Sequence, residues 1–84
     1  MTNNDLLIKI GECCRTARES DHITQKQMAA YCGVTQQNIS KFETGMNNNC
    51  SILFKYMAIC NHYKDLMDLL LRIRNEVLSD GKTD

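Results

Sequence analysis

The residues most suited to covalent or metal chemistry are five cysteines, Cys13, Cys14, Cys32, Cys50 and Cys60, and two histidines, His22 and His62. Thiols and imidazoles hold zinc when paired at short spacings, and a thiol beside an imidazole can serve as a nucleophile. Cys60 and His62 lie close in sequence, but no CxxC or HxxxH pair stands opposite them. Four of the cysteines fall at positions suited to a core, so they read as small buried hydrophobes. Their odd number, with no secretory signal before them, points to a reduced cytoplasmic setting. His22 and His62 sit at helix boundaries and receive no catalytic role. Tyr31, Tyr56 and Tyr63 read as packing residues with a hydroxyl in water. No nucleophile turn, phosphate loop or paired-carboxylate constellation is present. The chain is therefore read as no enzyme, with no cofactor and no metal.

A second group of residues could recognise rather than react. Gln36, Gln37, Ser40 and Lys41 face outward from a short helix whose inward positions are Ile39 and Phe42. The helix before it turns Met28, Ala29 and Cys32 inward, and Val34 follows in the connection. Two short helices joined at Gly33 form the geometry of a helix-turn-helix, whose second helix can enter a major groove.

The elements that must position this pair follow from helical periodicity, since no stretch alternates as a strand would. A first helix spans about Asn4 to Glu19, with an apolar stripe at Leu6, Leu7, Ile10, Cys13, Cys14 and Ala17. Asp5 lies near its positive end. A turn covers Ser20 to Ile23. Thr24 and Gln27 form a capping box for a second helix, Gln25 to Cys32, which Gly33 ends. Thr35 caps a third, Gln36 to Glu43, closed by Gly45. Met46 to Asn49 is a polar loop. A fourth helix spans about Ser51 to Asn61, and a fifth runs from about Lys64 to Ser79. The expectation is an all-α, five-helix bundle with a central helix-turn-helix, one domain over 1–79 and a loose tail at 80–84.

At 84 residues, every apolar face must be used or shared. Hydrophobic residues make up 43%, enough for a core, yet no apolar run approaches a membrane span, so no membrane partner is expected. Ten basic residues balance ten acidic ones, so attraction to an anionic partner must come from where the charges sit.

The stretch ITQKQMAAYCGVTQQNISKFETG resembles the Cro/cI-type helix-turn-helix repressors of bacteria and their phages. Gln25, Ala29, Gly33, Val34, Thr35, Gln36, Ile39, Ser40, Glu43 and Gly45 fall in one register of that pattern. Ile10, Gly11 and Arg18 match the family's first helix, and the likeness extends over about Leu6 to Leu70. The TQQ opening of the third helix is similar to that of some lambdoid phage repressors. The resemblance implies a DNA-binding transcriptional regulator, a repressor on a palindromic operator. Gln36 and Gln37 would reach base edges, where glutamine can bond adenine N6 and N7 together. Ser40 and Lys41 would lie one turn further along. Thr24, Gln25, Lys26 and Thr35 would meet phosphate at helix N-termini, where free amides favour anions. Arg18 and Glu43 would form the family's structural ion pair. Many relatives carry Lys or Arg after Glu-x-Gly. Here Met46 to Asn49 is uncharged, and Asn47 and Asn48 could bond phosphate only without releasing counterions.

The fifth helix carries more apolar residues than one stripe. Leu66, Leu70, Ile73 and Val77 repeat at spacings of four, three and four, with Met67, Leu69, Leu71 and Leu78 around them. The first four are expected at the seam of a homodimer, in line with family members that dimerise through this end. A protein-binding module, such as an antirepressor or the partner of another regulator, is the alternative reading.

Overall fold

The computed structural model describes residues 2–61 and 64–82; the side chains at 64, 65 and 80–82 lie outside that description, as do His62 and Tyr63. Within it the chain forms α1 (Asn3–Ser20), α2 (Gln25–Cys32), α3 (Gln36–Glu43), α4 (Cys50–Ile59) and α5 (Lys64–Lys82), and no strand.

Local chemistry sets most of these boundaries. Thr2 caps α1: its hydroxyl accepts from the Asp5 amide at 3.1 Å, and Asp5 accepts back from the Thr2 amide at 3.3 Å. The helix therefore starts at Asn3, one residue before the expected Asn4. Thr24 and Gln27 close a capping box on α2, with bonds of 2.9 and 3.1 Å. Gly33 ends that helix at φ 70°, where a side chain would be strained. The α1–α2 turn places His22, which is not glycine, at φ 60°.

α4 stops at Ile59, two residues before the expected Asn61. Cys60 is extended, and the Asn61 amide donates to Asp21 Oδ2 at 2.6 Å. A carboxylate at the end of α1 thus takes a donor that a longer α4 would have used. α5 continues to Lys82, past the expected end near Ser79, in a stretch with no proline to stop it.

The core joins Cys14 and Ala17 of α1, Met28, Ala29 and Cys32 of α2, Ile39 and Phe42 of α3, and Ile52 and Tyr56 of α4. Ile39 and Met28 are wholly excluded from solvent, each contributing about 1.5–3 kcal/mol by burial. α1 approaches α3 so closely that a Cβ on Gly11 would lie 2.5 Å from the Glu43 carbonyl oxygen.

One residue of the expected dimer seam lies in the core instead. Leu66 and Leu69 are buried, at 4% and 0% exposure, so Leu66 belongs to the core of a single chain. With Cys14, Ala17 and Tyr56 it lines a small gap between the helices. Ile73 is half-buried, while Leu70 and Val77 are exposed. From Arg74 to Ser79 every residue is exposed. Six consecutive residues cover more than a full turn, so no side of this part of α5 is buried.

Candidate nucleic-acid interface

The helix pair stands on a polar network. Arg18 Nε lies 2.7 Å from Glu43 Oε2, and Arg18 Nη2 donates to Glu43 Oε1 at 3.1 Å. Arg18 also donates to the Ile23 carbonyl at 2.6 Å. Gln25 Nε2 donates to Glu43 Oε1 at 3.1 Å, and the Tyr56 hydroxyl donates to Glu43 Oε2. One carboxylate at the end of α3 therefore gathers donors from α1, the start of α2, and α4. Both charged residues are buried, at 6% for Arg18 and 4% for Glu43. Burial alone would raise the Glu43 carboxyl; the bonds from Arg18, Tyr56 and Gln25 outweigh it and hold the group below its ordinary 4.5. Arg18 is held above its ordinary value by the bond to Glu43. Tyr56 is also raised, first by burial and then by its bond to the carboxylate.

Tyr56 departs from the sequence reading. Its hydroxyl is not in water: the residue is 2% exposed, and its ring stacks on Phe42 with centroids 5.4 Å apart. No spacing in the sequence signals that contact. The cysteines carry no exposed cluster. Cys14, Cys32 and Cys60 are buried, Cys13 is half-buried and Cys50 is exposed. Burial pushes the Cys14 thiol up to about 12 and the Cys60 thiol up to about 11, which disfavours the reactive thiolate. No group of three or more possible metal ligands occurs among the described residues.

On this scaffold Gln36, Gln37, Ser40 and Lys41 are all exposed on α3. Their side chains have no hydrogen-bond or ion-pair partner among the described residues. Thr35 accepts from the Asn38 amide at 3.1 Å, and its carbonyl takes the Ile39 amide. That leaves the amides of Gln36 and Gln37 without an intrahelical acceptor, a favourable place for an anion. Thr24 does the same for α2, leaving the amides of Gln25 and Lys26. Lys26 is exposed beside them. Gln25 is half-buried, with its side-chain amide held by Glu43, so it offers phosphate its backbone more readily than its side chain.

The loop after α3 is folded on itself. Asn47 Oδ1 accepts from the Asn49 amide at 2.9 Å, and Asn49 Oδ1 caps α4 through the Ser51 amide at 2.9 Å. Asn48 is exposed. Asn49 belongs to the expected polar loop, yet an asparagine just before an apolar run is also the signal for a helix cap.

The charge distribution answers the neutral total. From residue 22 to residue 61 the charged side chains are Lys26, Lys41, Lys55 and Glu43. Glu43 is buried and neutralised by Arg18 of α1. Every exposed or half-buried charge on this half of the chain is thus a lysine, while the acidic residues other than Glu43 lie on α1, its following turn, and the C-terminal part.

A helix-turn-helix family model matches residues 15–49, the segment that holds Arg18, both helices of the pair and the loop after them. The matched segment is a helix-turn-helix. The match is narrower than the likeness of Leu6 to Leu70 read from the residues, and Tyr56, Lys55 and α5 lie outside it. No curated protein and no solved structure matches the chain. A helix-turn-helix at this place supports a DNA-binding regulator acting on double-stranded DNA. No described helix is long and apolar enough to cross a membrane.

Proposed function

We propose that the protein is a transcriptional repressor that binds a palindromic operator as a homodimer, with α3 of each chain in a major groove. The observation that carries the reading is the outward face of α3. Gln36, Gln37, Ser40 and Lys41 are exposed and unpartnered on a helix whose opposite side is locked into the core. Gln36 and Gln37 would bond base edges, with Ser40 and Lys41 on bases or phosphate further along. Lys26, Thr24, Thr35 and the free amides of α2 and α3 would hold phosphate, with Asn47 and Asn48 adding neutral contacts.

The dimer reading rests on the outer half of α5. Leu70 and Val77 remain on its exposed face, and Met67, Leu71 and Leu78 extend that face, with exposures between 42% and 63%. Ile73 lies at its edge. Leaving such a face in water costs roughly 25 cal/mol per Å² of apolar surface, which a second copy would recover. Two reading helices about 34–36 Å apart would then engage successive major grooves. The exposed end of α5 equally suits a different protein, as in an antirepressor or a partnered regulator.

Sedimentation of the wild type and Leu71→Asp, alone and with a selected operator, tests the proposal. The expected result is a wild-type dimer that binds as two copies and a folded Leu71→Asp monomer with weakened binding. A wild type that stays monomeric while saturating its operator would overturn the dimer reading.

A further inference from the structure

We infer that Lys55 is a positioning residue for DNA reading: it clasps the end of α2 and, with its neighbour Tyr56, makes α4 the brace that sets the angle of α3. This rests on the reading that α3 enters the groove. Lys55 is half-buried, and its ammonium donates to the Cys32 carbonyl at 2.7 Å. Cys32 is the last residue of α2, directly before the turn at Gly33. Within that last turn, the Ala29 carbonyl takes the Val34 amide at 3.0 Å and the Ala30 carbonyl takes the Gly33 amide at 3.3 Å. The Cys32 carbonyl lies too near the helix end for such a bond, and a cation at the negative end of the helix is favourable there.

The next residue along α4 holds the other helix. Tyr56 donates to Glu43 at the end of α3. Adjacent side chains of one helix therefore grip the C-terminal ends of α2 and α3. Ile52 and Tyr56, both buried, fix α4 itself in the core on either side of Lys55. The brace lies outside the matched segment 15–49. It also removes Lys55 from the lysines available to phosphate, leaving Lys26 and Lys41 on that half of the chain.

The test compares Lys55→Met, which keeps most of the stem and loses the ammonium, with Lys55→Arg and Lys41→Met in the full chain. Affinity is measured for a selected operator and for random-sequence duplex, over a range of salt, and corrected for the folded fraction. In Lys55→Met the operator-to-random affinity ratio should fall about tenfold, the size of one charge-assisted hydrogen bond, with the salt slope unchanged. Lys55→Arg, which keeps a donor, should lose less. Lys41→Met should lower the slope by about one instead. A Lys55→Met slope that drops as in Lys41→Met would make Lys55 a phosphate ligand and overturn the clasp. So would an unchanged ratio, which is what mere destabilisation would leave. Hydrogen exchange at the Val34 amide, measured without DNA, separates this from the wider reading. Exchange should quicken in Lys55→Met even if the wild type bound no duplex, and an unchanged rate would overturn the clasp by itself.

Discussion

The outer face of α3 and the outer face of α5 are both exposed, yet their chemistry is opposite. On α3 the free groups are two amides, a hydroxyl and an ammonium, each able to bond a base edge or phosphate. On α5 they are mainly leucine, valine and methionine, which gain only by leaving water. The supports differ as well. α3 ends in a carboxylate with donors from α1, α2 and α4, whereas α5 beyond Ile73 has exposed residues all round. A surface that selects a sequence by hydrogen bonds must be held rigidly, because a bond lost to misplacement leaves a polar group unpaired. An apolar face tolerates looser support until a partner covers it.

The comparison breaks most severely at Glu43. Replacing it with alanine strands the buried Arg18 guanidinium and should destabilise the protein by about 3–5 kcal/mol. Thermal unfolding measures this, and an unchanged melting temperature would show that α3 needs no such support. Acid gives a second view of the same group. Because its folded carboxyl lies below the ordinary 4.5, its contribution is present above that pH and is lost as pH falls through the lower folded value. The acid limb of a melting-temperature profile should be shallower in Glu43→Gln than in the wild type.

A smaller change tests the reading face itself. Gln36→Ala should cost about 1–3 kcal/mol on the preferred site and relax preference at one or two base pairs, with stability nearly unchanged. Mobility shifts with single-base variants of the site provide the measurement. Wild-type affinity and preference in the mutant would place the reading face elsewhere.

The smallest effect concerns the turn that carries α1 into the pair. His22 at φ 60° pays the cost of a left-handed residue. His22→Gly should be neutral or stabilising by up to about 1 kcal/mol, since the greater chain entropy that glycine loses on folding offsets only part of the strain it relieves. A melting temperature several degrees lower would mean that the His22 side chain contributes contacts of its own.

The helix pair was legible because its signals are local. Thr24 with Gln27, Gly33, Thr35 and Gly45 bound α2 and α3 by capping and turn chemistry within a few residues of each end. Arg18 and Glu43 could be set together only through the family pattern, and nothing placed Tyr56 or Gln25 on the same carboxylate. Those bonds depend on how α4 docks, which periodicity does not encode. The burial of Leu66 was not legible for a related reason. The α5 stripe of Leu66, Leu70, Ile73 and Val77 is real as a spacing, but the docking angle turns Leu66 and Leu69 inward and leaves Leu70 and Val77 out. The early end of α4 also hangs on a long-range bond, from Asn61 to Asp21, forty residues apart.

Selection of bound sequences from a random duplex pool tests the central claim most directly, that the outer face of α3 reads DNA for a two-fold regulator. The wild type should enrich an inverted repeat whose half-sites are centred about 10–10.5 base pairs apart, or a multiple of that spacing. The Gln36→Ala pool should lose preference at the same position in both halves. A pool with no enriched sequence, or one that Gln36→Ala leaves unaltered, would contradict it.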